Sequence, residues 1–231
     1  MKRFYKTVTT EPVEAGHALL LDGRSVKTPL RAPLILPTAA LAEAVAAEWD
    51  AQGEEIVIAA MPLTGFANAA IDQVVPNRQR FIDDIVAYGE TDTLCYRADP
   101  GDPLAERQDR DWEPILQWAE NRYDIRMIRV AGIIHQPQSS HSLSRLRSVV
   151  GAMDPFVLAG FSTLAAIGGS LIGALALWEQ AFDSGTIWRA ICLEELWQEE
   201  LWGADAEAVA AREHRRGAFD AAWRFCCTIK G

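Results

Sequence analysis

The chain has 231 residues, which is enough to bury one large core or two smaller ones. Its formal net charge is -10, with 49% hydrophobic and 23% charged residues, a composition typical of a globular protein and not of a disordered or fibrous one. The negative charge argues against a nucleic-acid partner and against an anionic membrane surface, because both attract basic proteins.

The first third of the chain carries strand and hairpin signals. Asp22-Gly23 lies between two extended arms in HALLLDGRSVKTP and predicts a two-residue hairpin turn. PLILP is a second short strand bounded by prolines, and EEIVIAAMP is a further strand candidate. The sequence therefore predicts a small antiparallel sheet in this region.

Helices are predicted from the middle of this first third onward. Thr38 caps AALAEAVAAEWDAQ, in which Trp49 is interpreted as part of the buried face. Prolines later stand where helices could begin, namely at Pro76, Pro103, Pro114 and Pro155. The predicted fold class is α+β, with a small antiparallel-sheet domain and its helix at residues 1–70 and a larger, mostly helical domain at 71–231.

Phe156–Trp178 runs 23 residues without a charge, which is long enough to cross a membrane. However, Gly168-Gly169 lies in its middle and Ser170 is a good helix N-cap. We predict two buried helices that meet at this Gly-Gly turn, and a membrane-anchored factor is the alternative. The N-terminal MKRFYKTVTT lacks the apolar core of a secretory signal, so we expect the protein to work where it is made.

The common catalytic and cofactor signatures are missing from the sequence. It contains no GxxxxGK[ST] phosphate loop, no GxGxxG after a strand and no HExxH, and its four cysteines lack metal-type spacing. We therefore expect no cofactor, no metal site and no catalytic residue, in a reducing compartment. The enzymatic alternative uses Glu194 or Asp72 as a general acid or base.

LEELWQEELWG, Leu193–Gly203, holds four glutamates and two tryptophans. As a helix it places its apolar residues on one side, namely Leu193, Leu196, Trp197 and Leu201. Glu195 and Glu199 point away from this side and are predicted to be solvated. Glu194 lies at the edge of the apolar side, with Gln198 one turn further on, and is predicted to be half-buried.

The roles of two residues in this helix, Glu194 and Trp202, can each be interpreted in more than one way. A carboxylate in the position of Glu194 pairs with an arginine inside the protein, serves as a general acid or base, or waits for a donor on a partner. Trp202 is either an exposed aromatic anchor for a partner or packs against the turn at Gly203. Periodicity alone leaves these alternatives open.

Several short motifs occur one after another from residue 3 to residue 203. They are RFYK (3–6), LDGRSVKTP (21–29), EWDAQ (48–52), MPLT with AAID (61–72), DTLCYRA (92–98), RQ with W-P-LQW (107–118) and LEELWQEELWG (193–203). In this order and spacing they resemble the ATP synthase F(1) assembly factor 2 chaperones of mitochondria and alphaproteobacteria. The match spans nearly the whole chain, and the combination is more specific than any one motif.

The resemblance implies a two-domain α+β protein without enzymatic activity that binds the F(1) α subunit. In the family pattern E-x-x-x-Q-x-x-x-W-G the glutamate is functionally important, and here it is Glu194. The tryptophan of EWD, here Trp49, is likewise sensitive in the family. The expected partner-binding residues are Glu194, Gln198 and Trp202, in a monomeric bacterial cytoplasmic protein whose eukaryotic relatives work in the mitochondrial matrix.

A physical rationale supports this function. A subunit of a hetero-oligomeric ring exposes its future interface before assembly, and such apolar patches aggregate. A chaperone without nucleotide chemistry covers the patch until the true neighbour, here the β subunit, displaces it. Carboxylates beside tryptophans suit this task, since charge sets specificity and aromatic rings contribute burial.

Overall fold

The computed structural model describes residues 1–132 and 134–230. The strands in this part of the chain are β1 Val8–Val13, β2 Gly16–Leu21, β3 Arg24–Ser25, β4 Ile35–Leu36, β5 Tyr96–Arg97 and β6 Val130–Ala131. The α-helices are α1 Ala39–Asp50, α2 Pro62–Ala69, α3 Arg78–Glu90, α4 Pro103–Tyr123, α5 Ser140–Gly151, α6 Pro155–Gly168, α7 Leu171–Trp178, α8 Ser184–Ile191, α9 Leu193–Trp202 and α10 Ala206–Lys230. The predicted α+β class is confirmed.

Strand β2 is the centre of the N-terminal sheet. It pairs antiparallel with β1 along its whole length, and with β3 and β4 over two residues each. The predicted hairpin at Asp22-Gly23 is confirmed, because both residues have positive φ angles, 48° and 76°, as a two-residue turn requires. Leu19 and Leu21 of β2 are buried, whereas β1 is exposed beyond its first residue.

The strand predicted for EEIVIAAMP is wrong. Within this segment Glu55 forms one isolated bridge with Lys2, and Ile58–Ala60 is a single 3-10 turn. Its neighbour is the short N-terminal stretch, where Ile56 N donates to the carbonyl of Met1 at 2.7 Å. A partner of a few residues cannot support a full ladder, and Pro62 then begins α2.

The EWDAQ motif joins α1 to α2. The buried carboxylate of Glu48 accepts from the backbone N–H groups of Leu63 and Thr64, both at 2.8 Å, and so caps the start of α2. The side chain of Gln52 accepts from the N–H of Val57 at 2.7 Å. These contacts give the motif a structural role. At the other end of α1, Thr38 accepts from Leu41 N as predicted.

The AAID motif has a comparable role. Asp72 accepts from the hydroxyl of Thr28 at 2.7 Å with one oxygen and from the N–H of Leu30 at 3.0 Å with the other. Both oxygens therefore hold the loop between β3 and β4. This arrangement leaves Asp72 a structural carboxylate and weakens the enzymatic alternative that used it.

The two helices predicted around Gly168-Gly169 are confirmed as α6 and α7. Gly169 takes a φ of 56°, and the hydroxyl of Ser170 caps α7 by accepting from Gly173 N at 2.8 Å. Asp92 is completely buried beside this turn and accepts from Ile172 N at 2.8 Å. Within the described ranges, none of the helices has the length and apolarity to cross a membrane.

Of the prolines predicted to begin helices, Pro103 and Pro155 do so, and Pro114 does not. Pro114 lies inside α4, which continues through it to Tyr123. Trp112, Ile115 and Leu116 flank it and are at most 1% exposed, so packing outweighs the one helix hydrogen bond that proline removes. Pro76 precedes α3 by two residues.

The chain divides into two compact units whose bounds differ from the predicted 1–70 and 71–231. The first unit comprises Met1–Arg78, Met153–Phe161 and Asp220–Gly231, and the second comprises Gln79–Ala152 and Ser162–Phe219. The first unit is therefore discontinuous in sequence, because parts of α6 and α10 belong to it. Sequence periodicity identifies such helices but not the core that each half joins.

Gly160 of α6 is a test of close packing in the first unit. A Cβ at this position would lie 2.8 Å from Sγ of Cys226 and 3.1 Å from the carbonyl oxygen of Ala222. We expect Gly160→Ala to lower the free energy of unfolding by about 1–3 kcal/mol through overpacking. In the control Gly217→Ala, a Cβ meets nothing within 4 Å, so stability should rise by up to about 1 kcal/mol. Urea unfolding measures the change in unfolding free energy for both variants. Equal changes would contradict the close packing at Gly160.

Asp92 gives a pH-dependent test. Burial raises its pKa to about 6, although hydrogen bonds from Ile172, Ser170 and Leu94 act in the opposite direction. The unfolded chain keeps the ordinary pKa of about 3.9, so it loses this proton first as pH rises. The bound proton of Asp92 therefore contributes to the free energy of unfolding. This contribution is fully present below about pH 4 and is lost as pH rises through about 6, a loss of about 3 kcal/mol.

The measurement is urea unfolding of the wild type and Asp92→Asn between pH 4 and pH 7. We expect the difference in unfolding free energy to shift against the wild type as pH rises through this window, because asparagine does not ionise. A difference that stays constant with pH would contradict the assigned pKa.

Candidate functional site

Helix α9 is bounded by two breaks in the backbone. Cys192 separates it from α8 and takes a non-helical ψ of 8°, and Gly203 ends it with a φ of 89°. Glu194 and Glu195 lie in its first turn, where a negative charge is favoured by the helix dipole. Leu193 is buried at 2% exposure and anchors the start of the helix.

Two glutamates of α9 are paired with arginines of α10. Glu195 binds Arg215 at 2.6 Å, and Glu199 binds the largely buried Arg212. The prediction that these two glutamates are solvated is therefore wrong. Helical periodicity places them away from the apolar side correctly, but it does not reveal that α10 supplies arginines on that side.

Glu200 is paired with an arginine of α4. Both of its carboxylate oxygens accept from the guanidinium of Arg107, one of them at 2.8 Å. This hydrogen-bonded arginine lowers the pKa of Glu200 below its ordinary value. The same guanidinium lies 5.6 Å from the ring centre of Trp197. Bidentate geometry with an aromatic contact fixes the end of α9 against α4.

Glu194 is bound in a different way from its three neighbours. One of its oxygens accepts from the side-chain amide of Gln108 at 2.8 Å, and Gln108 accepts from the N–H of Ala98 at 2.7 Å. Gln108 is 1% exposed, whereas Glu194 is exposed, so the prediction of a half-buried Glu194 is wrong. Among the described residues, Glu194 is the one glutamate of α9 without an arginine partner.

Glu194, Gln198 and Trp202 form an exposed line along α9, which we call the α9 stripe. They are spaced four residues apart and so lie on one face. Trp202 is 79% exposed, which matches the anchor interpretation and not packing against Gly203. Leu201, predicted on the core side, is 54% exposed and widens the apolar end of the stripe.

The chemistry of the α9 stripe follows from these contacts. The Glu194 carboxylate has accepting capacity left after its bond to Gln108, and its negative charge is not neutralised by a cation in the described chain. In the described chain its one bonded side chain is the Gln108 amide, which does not titrate. Among the described residues no arginine pairs with Glu194, so acid-base work and a donor on a partner are the two interpretations left open.

Trp49 lies in the first unit, whereas the residues of the stripe all lie in the second. It is half-buried and packs on a small cluster formed by Tyr5, Leu21, Ile56 and Met61. The hydroxyl of Tyr5 donates to the Trp49 carbonyl at 2.7 Å. The prediction that Trp49 belongs to the core of α1 is met in part, because the residue is half-buried against this cluster.

Arg107 and Gln108, which contact α9 from α4, are not among the predicted site residues, and neither are Arg212 and Arg215 of α10. The signal that could have found Arg107 and Gln108 is the adjacent Arg-Gln pair, RQ, near the start of a helix with an amphipathic pattern. Only the folded chain shows that this pair contacts α9, because 86 residues separate Gln108 from Glu194.

Known proteins are similar to this chain over nearly its whole length. The crystal structure of Atp12 from Paracoccus denitrificans is 38% identical, with a TM-score of 0.95 over 99% of this chain and 98% of that one. The structure of a mutant form of the same protein gives the same identity and TM-score. The mitochondrial protein atp12 of Schizosaccharomyces pombe is 25% identical over 220 residues, covering 90% of this chain and 75% of the relative.

A family model adds to these likenesses. The model described as ATP12 chaperone protein matches residues 2–120, which is just over half of the 231 residues. The matched part includes Trp49 and Gln108 and ends before α9, whereas the Paracoccus structures cover the α9 region as well. The chain belongs to the ATP12 chaperone family.

Proposed function

We propose that this chaperone assists assembly of the F(1) sector of ATP synthase by binding the unassembled α subunit through the α9 stripe. It shields the surface of the α subunit that later meets the β subunit, and the β subunit then displaces it. The free chaperone is a monomer in the bacterial cytoplasm, and it acts without catalysis or nucleotide. The family membership supports the chaperone role, and the resemblance of the motifs supports the choice of client.

The observation that carries this proposal is a large exposed indole in line with an unneutralised carboxylate. Trp202 exposes 79% of its surface, and Glu194 faces solvent two turns earlier. Tryptophan is enriched in the energetic centres of interfaces, so an indole exposed to this extent suits contact with a partner. A nearby carboxylate adds selectivity, since a partner without a matching donor would leave it unpaired.

The surrounding ion pairs make this face rigid before the client binds. Glu195, Glu199 and Glu200 each hold an arginine from α4 or α10, and Gln108 orients the Glu194 carboxylate. A preordered helix loses little conformational entropy on association, so a modest interface suffices for binding. Modest affinity is what a transient cover requires, because the β subunit must be able to compete for the same surface.

Glu194→Lys tests the charged part of the stripe. We expect the dissociation constant for the α subunit to rise at least about thirtyfold, because a donor that met the carboxylate would now face a cation. The control Glu213→Lys makes the same charge change on an exposed part of α10 and should bind like the wild type. Titration with purified α subunit measures both. Normal binding by a folded Glu194→Lys protein would remove this assignment.

Trp202→Ala tests the apolar part. We expect a rise of at least about tenfold in the same dissociation constant, with the unfolding free energy unchanged within about 0.5 kcal/mol because the side chain is exposed. Ile134→Ala is the matched control, since Ile134 is 78% exposed and lies outside the stripe. If both alanine variants weaken binding equally, or neither does, Trp202 is not an anchor.

A further inference from the structure

Exposed apolar side chains are concentrated in the first unit. Seven of the eleven large hydrophobic residues that are exposed in the described chain lie before residue 79, namely Met1, Phe4, Val13, Leu30, Val57, Ile58 and Val75. Single exposed apolar residues need no explanation, but a group around a cavity does. Met1 and Phe4 both line the same cavity, of about 600 Å³.

We call this cavity the Trp49 slot. Its apolar walls include Phe4, Tyr5, Val26 and Trp49, and its rim carries Arg24 and Lys27. Phe4 is 65% exposed and meets the Tyr5 ring edge-on, with ring centroids 5.3 Å apart. The slot is therefore an open depression with aromatic sides, of a size that would accept one or two large side chains.

The polar groups of the slot are incompletely paired. Within the described chain, neither Arg24 nor Lys27 has a carboxylate within ion-pair distance, and the buried indole N–H of Trp49 has no acceptor. Asp22 also lines the slot, but its oxygens accept from the backbone N–H groups of Lys6 and Thr7. Arg24 and Lys27 favour an occupant with negative charge, because neither is paired with a carboxylate among the described residues. The indole N–H of Trp49 favours an occupant with an oxygen acceptor, because it has none in the described chain.

The positive rim is unusual for this protein. The net charge of the chain is -10, so a partner chosen by overall electrostatics would be basic. The slot instead offers local positive charge, which complements a carboxylate next to an aromatic or large aliphatic side chain. The apolar surface continues from Met1 to Val57 and Ile58, because Ile56 N binds the Met1 carbonyl.

We propose that the Trp49 slot is a second client-contact surface, which takes a segment of the α subunit that presents a large apolar side chain flanked by carboxylates. This inference rests on the proposed function, because it takes the same client. The apolar side chain packs between Phe4 and Trp49, and the carboxylates bind Arg24 and Lys27. A second surface raises affinity by linking two weak contacts in one molecule.

The experiment measures the dissociation constant between the full-length protein and purified α subunit for two slot variants, Phe4→Ala and the double variant Arg24→Glu/Lys27→Glu. The matched controls are Leu30→Ala, which removes another exposed apolar side chain, and Arg31→Glu/Arg80→Glu, which makes the same change in net charge outside the slot. Each variant is first checked by its urea unfolding midpoint. Because Phe4 is mostly exposed, we expect Phe4→Ala to leave the fold intact. The charge variant tests the slot without removing an apolar side chain.

We expect both slot variants to raise the dissociation constant at least about tenfold, and both controls to change it less than about threefold. Slot variants that bind like the wild type while Glu194→Lys does not would overturn the slot and leave the proposed function standing. Equal losses in the charge control would also overturn it, as would a slot variant that changes only self-association of the chaperone. A wild-type protein that fails to bind the α subunit overturns both proposals.

Discussion

The proposed client binding depends on the ion pairs that three arginines form with glutamates of α9. Arg107 from α4 and Arg212 and Arg215 from α10 each take one glutamate of the helix, and so they join three helices through residues of the second unit. Exposed ion pairs contribute little stability singly, but several that share one short helix fix its position. Glu194 has no arginine partner in the described chain and is exposed to solvent. In the proposed function, structure and specificity are divided among four glutamates that look alike in the sequence.

The motifs that carry the family resemblance have mainly structural roles in the described chain. Glu48 caps α2, and Asp72 holds the loop after β3. Asp92 accepts a hydrogen bond from a backbone N–H at the start of α7. Each is a carboxylate that accepts hydrogen bonds from groups far away in sequence. Replacing Glu48 or Asp92 costs stability, since a buried N–H without a partner is unfavourable. The shared motifs therefore indicate the fold first, and the function through the few exposed residues among them.

Local signals in the sequence are sufficient for part of this fold. The Asp22-Gly23 hairpin, the Thr38 cap and the Gly168-Gly169 turn each depend on the backbone preferences of one or two residues, and the structure confirms all three. Distant contacts account for the errors. EEIVIAAMP has strand composition but too short a partner, and Glu195 and Glu199 look solvated until α10 is in place. The spacing of Glu194, Gln198 and Trp202 is readable in the sequence, but the support from Gln108 is not.

The central claim is that the α subunit covers the exposed face of α9. Hydrogen–deuterium exchange of the chaperone, with and without saturating α subunit, tests it directly, because covered amides exchange more slowly. The account predicts slower exchange across residues 193–203, with little change in α5, which carries none of the proposed contacts. Unchanged exchange in residues 193–203 alongside clear protection elsewhere would contradict it.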